Sequence, residues 1–270
     1  MTDANADSVT ELVEGGLDRR EARWLVEEFG SNDEALHEAA RRRRGGEPLQ
    51  YVLGHWPFRS LDLDVDERAL IPRPETEELV SLALAELLRV EVREPCIMDL
   101  GCGSGAIGLA LLDELRARQV AATLVAVDES LDALALARRN ARKHDLHAVS
   151  FVHSSWFDDV DPSRHGRVDL IVANPPYVGD EEFEGLDPVL RHEPRDAIVA
   201  PDARGVTGFA DLEVIITQAS TWLQPRGVLV CEHASTHRDA VLAAARSARF
   251  SDARDFDDLA GRPRVLVARR

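Results

Sequence analysis

The spacing of hydrophobic positions changes along the chain. Up to about residue 55 it follows a helical step: Ala22, Leu25, Val26 and Phe29 recur at three- and four-residue intervals and form one apolar stripe. Gly15-Gly16 and Gly30 punctuate this stretch, Ser31 or Asn32 suits the cap of a following helix, and Pro48 suits a helix's first turn. A small helical bundle is predicted. From Phe58 to Ile71 the step shortens to two, with Leu61, Leu63 and Val65 on one face and Asp62, Asp64 and Asp66 on the other. That is strand periodicity, and it predicts a short hairpin. Ile71-Pro-Arg-Pro-Glu-Thr-Glu77 then breaks regular structure twice, so a helix should start near Glu75 or Thr76 and run through Leu88.

Beyond Glu94 short apolar runs alternate with helical stretches. Cys96 to Leu100, Thr123 to Val127, Val149 to His153, Val168 to Ala173 and Gly227 to Glu232 have the length and uniformity of buried parallel strands. Ala106 to Ala117, Leu131 to His144 and Phe209 to Leu223 read as helices between them. Such alternation predicts an α/β fold with a doubly wound sheet. The tail differs: Ser251 to Phe256 and Arg264 to Ala268 are strand-like, and only Asp257 to Pro263 separates them. No crossover helix fits there, so the last pair must be antiparallel.

Composition narrows the class. The 270 residues are 44% hydrophobic and 30% charged, enough to bury a core and too apolar for general disorder. No apolar run is long enough to span a membrane, and the start MTDANADSVTELVEGG lacks the basic and apolar regions of a secretory signal, so the cytosol is the expected compartment. With 49 acidic against 32 basic side chains the formal charge is −17, which disfavours a protein that grips duplex nucleic acid through many phosphates. The run Arg41 to Arg44 suits an acidic partner or, the preferred reading, a solvated last helical turn. Cys96, Cys102 and Cys231 show no CxxC pairing, so neither a disulfide framework nor a zinc site is suggested, and no metal is expected.

Three segments carry chemistry. In Ile97-Met-Asp-Leu-Gly-Cys-Gly-Ser-Gly-Ala-Ile-Gly108 an apolar strand runs into Gly101, Gly103 and Gly105, and a helix opens directly behind them. Glycines there let the backbone approach a ligand, and the helix offers free N–H groups. The spacing is GxGxG rather than the dinucleotide fingerprint GxGxxG, which disfavours NAD. Asp128, ending the second strand, is placed to accept both hydroxyls of a ribose. Asn174-Pro-Pro-Tyr177 follows the strand Asp169-Leu-Ile-Val-Ala173. Its two prolines hold nearby carbonyls in fixed directions at the sheet edge where ligands bind. Asn174 offers a donor and an acceptor, and Tyr177 a flat ring.

Together these segments resemble the class I S-adenosylmethionine-dependent methyltransferases, in which NPPY marks enzymes acting on planar amide or exocyclic amino nitrogens. Upstream, Glu47-Pro-Leu-Gln-Tyr51, Gly54, Phe58 and Leu70-Ile-Pro-Arg-Pro-Glu-Thr-Glu77 look like the peptide chain release factor N5-glutamine methyltransferases, the HemK family. So do Ser155-Trp-Phe157, His192-Glu-Pro194 and the closing Asp258-Leu-Ala-Gly-Arg-Pro-Arg-Val265. NPPY is shared with adenine N6 methyltransferases, which stand as the alternative; IPRPETE is the discriminating motif and favours release factors as substrate. One departure is Ala234 in Glu232-His-Ala234, where the family usually has glycine.

The resemblance implies a mostly parallel seven-stranded sheet ending in an antiparallel strand. It also implies three parts: a helical substrate-recognition domain over 1–56, a hairpin linker over 57–73 and a methyltransferase domain over 74–270. It implies methyl transfer from S-adenosylmethionine, leaving S-adenosylhomocysteine, to the glutamine amide of a Gly-Gly-Gln loop in class I release factors, by a monomer. Gly101, Cys102, Gly103, Ser104, Gly105, Asp128, Trp156 and Asn174 would hold the cofactor, with Trp156 beside the adenine. Asn174, Pro175, Pro176 and Tyr177 would hold the substrate, Tyr177 packing on its amide; Asn174, Pro175 and Tyr177 form the catalytic set. Asp99 either orders the glycine loop or meets the cofactor's amino group, and Arg73 and Glu75 order either the cofactor pocket or the target loop. Residues 1 to 80 carry 10 basic and 19 acidic side chains and the remainder 22 and 30, so the acidity is densest on the part expected to recognise the substrate.

Overall fold

The computed structural model describes residues 3–90 and 92–270. Four helices open the chain: α1 (Asp3–Glu14), α2 (Arg19–Phe29), α3 (Asp33–Arg44) and the short α4 (Leu49–Leu53). Asp18 caps α2 by accepting the Arg20 N–H, and Asn32 caps α3 by accepting the Ala35 N–H. Pro48 sits at the N-cap of α4 rather than inside its first turn, because the turn begins with the Leu49 backbone. The apolar stripe of α2 packs with Val9, Leu12, Leu36 and Val52 into a separate small core. In the basic run, Arg41, Arg42 and Arg43 pair with Glu38, Glu47 and Glu21, so these three charges are neutralised within the bundle.

A hairpin follows, β1 (His55–Phe58) and β2 (Leu61–Asp64), with Trp56 opposite Leu63. It begins at His55 rather than 57 because Gly54, in the left-handed region, ends α4 abruptly and its carbonyl accepts the Val65 N–H. Residues 65–75 are an irregular connection. Trp24 of α2 meets Trp56 edge-on at 5.4 Å, and His55 bridges Glu28 of α2 and Asp62 of β2. The bundle is thereby seated on the hairpin.

The remaining elements are α5 (Thr76–Val90), β3 (Cys96–Leu100), α6 (Ala106–Ala117), β4 (Thr123–Asp128), α7 (Leu131–Lys143), β5 (Val149–His153), β6 (Val168–Ala173), α8 (Asp180–Phe183), α9 (Ala210–Trp222), β7 (Leu223–Glu232), α10 (Arg238–Ser247), β8 (Asp252–Asp257) and β9 (Pro263–Arg269). The sheet runs β5-β4-β3-β6-β7-β9-β8, parallel through β7, with β9 antiparallel to both its neighbours. Helices α5, α6 and α7 cover one face through Leu79, Leu109 and Leu134, and the hairpin's Phe58, Leu61 and Leu63 join this layer. Helices α9 and α10 cover the other through Leu212, Ile216 and Val241. The inner strands β3, β4 and β6 are buried on both faces, which is why they read as unbroken apolar runs, whereas the edge strands β5 and β8 are only partly covered.

Strand order reverses between β3 and β6. Chain following β3 and chain following β6 leave the sheet side by side, since Leu100 pairs with Ala173. In an open α/β sheet that switch point forms a crevice at the strands' C-terminal ends.

Candidate active site

A cleft of about 1190 Å³ opens at this switch point. Its walls include the glycine loop after β3, the ends of β4 and β5, the turn after β6, the segment 69–73 and part of the segment between β6 and α9. The glycine loop is shaped by left-handed backbone at Gly101, Gly103 and Gly105. Gly101 lies against Trp156, where a Cβ would come within 3.3 Å of the indole Cζ3. Gly105 is the N-cap of α6 at φ 84°, the left-handed region that favours glycine, and a Cβ there would also press on Leu109 Cδ1 at 2.8 Å.

Two carboxylates brace the loop. Asp128 accepts the Gly103 N–H on Oδ2 at 2.8 Å and the Ser130 N–H on Oδ1 at 2.9 Å while lining the cleft. Burial raises its pKa, against the pull of those two N–H groups. Asp99 is fully buried beneath the loop and accepts the Gly108 N–H at 2.9 Å, capping α6 from outside the helix. Its burial pushes its pKa up to about 7. Asn140, buried in α7, donates to the Ser104 carbonyl and exchanges two hydrogen bonds with the Asp64 backbone, tying the hairpin to the glycine loop. Trp156 holds a left-handed conformation and donates its indole N–H to Asp211 at 3.1 Å, which fixes the ring against the cleft.

The turn after β6 is held from behind. Asn174 Nδ2 donates to Thr76 Oγ1 at 3.2 Å, Thr76 donates to Glu232 Oε2 at 2.8 Å, and the Tyr177 hydroxyl donates to Glu232 Oε1 at 3.1 Å. Arg264 donates to the Tyr177 oxygen at 3.4 Å. Opposite, Glu193, with its side chain 1% exposed, accepts the Ile71 N–H at 2.9 Å and pairs with Arg73, which lines the cleft.

Residues 79–186 match the family model of the methyltransferase small domain. A release factor glutamine methyltransferase of Salmonella typhimurium is 36% identical over an alignment covering 97% of this chain and 96% of that protein. The chain belongs to the release factor glutamine methyltransferase family. The Haemophilus influenzae member is 43% identical, over 71% of this chain and 65% of its own length. The fold is also that of a solved Thermus thermophilus 16S rRNA N2 G1207 methyltransferase in complex with AdoMet and guanosine, with a TM-score of 0.51, 18% identity and coverage of 74% of this chain and 44% of that one. The mostly parallel seven-stranded sheet with its antiparallel β9 is the class I methyltransferase sheet, and the chain is an enzyme of methyl transfer.

Within this family site, Gly101, Cys102, Gly103, Ser104, Asp128, Trp156, Asn174 and Pro176 share the cleft wall. Gly105, Pro175 and Tyr177 are not among the lining residues. The Tyr177 hydroxyl is committed to Glu232 and Arg264 behind the turn. Burial first, then the Glu232 charge, raises the phenol's pKa further. Glu75 is exposed and lies outside the cleft lining. Ala234 has φ −64°, so alanine is accommodated there without strain. Thr76, Glu193 and Glu232 lie inside segments that carry the family resemblance but had no role assigned from sequence, and Asn140 and Asp211 lie outside them; all five are structural partners of the site. A charged or amide side chain ending a buried strand or breaking a helix's apolar face was the available signal. Among the described residues no group of three His, Cys, Asp or Glu could hold a metal ion, and no helix is long and apolar enough to cross a membrane.

Proposed function

We propose that this protein methylates the side-chain amide nitrogen (N5) of the glutamine in the Gly-Gly-Gln loop of class I peptide chain release factors, in the cytosol and as a monomer. The observation that carries the reading is the Asn174 amide at the cleft wall, with its Nδ2 committed to Thr76 and its Oδ1 left to accept. S-adenosylmethionine fits the cradle: a backbone loop with no side chain at Gly101 and Gly103, a carboxylate at Asp128 and an oriented indole at Trp156 suit an aminoacyl chain, a ribose and a planar base. When bound, it supplies an electrophilic methyl group.

An amide nitrogen is a weak nucleophile because its lone pair is delocalised into the carbonyl, so positioning supplies much of the catalysis. Asn174 Oδ1 and the Pro175 carbonyl accept the two N–H bonds of the target amide and hold the nitrogen in one orientation. Such alignment can contribute on the order of 7 kcal/mol. The same acceptors interact more strongly as positive charge develops on nitrogen, so they favour the transition state over the ground state. No side chain need act as a general base, since a methylated amide cation releases its proton readily to water. The helical bundle, with the hairpin that follows it, recognises the release factor, and the methyltransferase domain carries the reaction. Incubation with methyl-labelled cofactor and either release factor or duplex DNA tests the assignment: label in the protein supports it, and label in adenine of the DNA instead refutes it.

A further inference from the structure

A single buried carboxylate stands behind both ends of the Asn174–Tyr177 turn. Glu232, the last residue of β7, is 2% exposed and accepts from Thr76 on one oxygen and from Tyr177 on the other. Thr76 begins α5, 98 residues before Asn174 in the chain, yet its hydroxyl is where the Asn174 amide rests. We infer that Glu232 is a positioning residue for methyl transfer, which through Thr76 dictates which end of the Asn174 amide faces the cleft. This rests on the reading of Asn174 as the acceptor for the target amide.

The polarity follows from counting protons. An ionised carboxylate only accepts hydrogen bonds, and a threonine hydroxyl has one proton to give. Thr76 spends that proton on Glu232, in a charge-assisted bond at 2.8 Å. Only its lone pairs remain for Asn174, so the asparagine must turn Nδ2–H toward Thr76, and Oδ1 is left for the cleft. The two ends of a carboxamide are almost identical in shape, so packing alone does not choose between them. The reversed amide would present N–H donors to a substrate that itself offers two N–H donors. Tyr177 behaves in the same way: its proton goes to Glu232 while Arg264 occupies its oxygen. The carboxylate thus sets the direction of both arms of the network, and in a buried setting such bonds are stronger than in water. A purely structural Glu232, pinning α5 to β7, would cost stability when altered without separating kcat from KM.

Three variants test this. Glu232→Gln keeps the shape but replaces one acceptor oxygen with a donor, Thr76→Val removes the hydroxyl at constant volume, and Thr76→Ser restores it. Steady-state kinetics on a release factor and calorimetry with S-adenosylmethionine supply the readouts. Glu232→Gln and Thr76→Val are expected to lower kcat about 100-fold, on the scale of losing one well-placed polar group at a reacting centre. KM for the release factor and cofactor affinity should change little, and Thr76→Ser should recover most of the lost turnover. Wild-type kcat in Glu232→Gln and Thr76→Val, alongside an inactive Asn174→Ala, overturns the role of Glu232 while leaving the glutamine reading intact. A wild-type protein that methylates no glutamine overturns both. If the variants fail to bind cofactor and so to fold, neutron diffraction of the deuterated wild type decides: a deuteron on Thr76 Oγ1 directed at Glu232 is expected, and one directed at Asn174 is contrary.

Discussion

Asp128 Oδ2 lies 2.8 Å from the backbone nitrogen of Gly103 and accepts its N–H, so the acid at the end of β4 also clamps the glycine loop after β3. Its sequence position suggests contact with ribose hydroxyls, and the structure adds this second task. Replacing Asp128 with alanine therefore loosens the loop as well as removing the proposed ribose contact. Calorimetry should show S-adenosylmethionine affinity falling at least tenfold, equivalent to about 1.4 kcal/mol. Asp128→Asn should lose less, because one amide oxygen still accepts from Gly103.

Arg73 and Glu193 join the IPRPETE segment to the stretch after the NPPY turn, on the rim of the cleft. Glu193 is buried and Arg73 half-buried, so Arg73→Ala strands a carboxylate away from water. The expected cost is about 3 kcal/mol, at the lower end for breaking such a pair because Arg73 keeps some solvent contact. Chemical denaturation measures it. Pairing Arg73→Met with Glu193→Leu should recover only part of the loss, since the Ile71 N–H then has no acceptor.

His55 couples the bundle to the hairpin and responds to pH. Burial lowers its pKa, but hydrogen bonds and charge from Asp62 and Glu28 outweigh burial and raise it above 6.5. Lys143 also faces Asp62 and competes for it. A cation with a raised folded-state pKa contributes stability that is complete below its unfolded value of 6.5 and is lost as pH rises through the folded one. Thermal unfolding of the wild type should accordingly lose ground to His55→Gln as pH rises from below 6.5 into the alkaline range. A constant difference in Tm would count against this coupling.

Turnover should also have an acid limb. Burial raises the Glu232 pKa above 4.5, while the bonds from Thr76 and Tyr177 and the charge of Arg264 hold it down and Glu75 adds to the rise. The ionised form is the one that directs Thr76, so kcat should fall as pH drops through that raised value. The kcat–pH profile of the wild type should thus turn down above the ordinary carboxylate range, and Thr76→Val should lack that limb.

The centre of the α/β sheet was legible because β3, β4 and β6 are buried on both faces and so read as uniform apolar runs. The glycine loop and the NPPY turn were legible for a related reason, since few local structures require those residues in that order. Long-range polar partnerships were not. Thr76 and Glu232 stand in segments far apart in the chain, and only the topology, which sets the start of α5 beside the ends of β6 and β7, makes them one network with Asn174. Asn140 was hidden similarly, as a polar residue in an amphipathic helix whose amide happens to meet the hairpin. The partners of the Tyr177 hydroxyl were out of reach for the same reason, since Glu232 and Arg264 lie 55 and 87 residues further along the chain.

The proposed reaction depends on Asn174 presenting an acceptor to a glutamine amide in this cleft. Mass spectrometry of the release factor's Gly-Gly-Gln peptide, after incubation with S-adenosylmethionine and either wild-type protein or Asn174→Ala, tests it most directly. The glutamine should gain a single methyl group with the wild type and stay unmodified with Asn174→Ala, while both proteins should bind the cofactor with similar affinity. An unmodified glutamine with the wild type, or full methylation by Asn174→Ala, would contradict it.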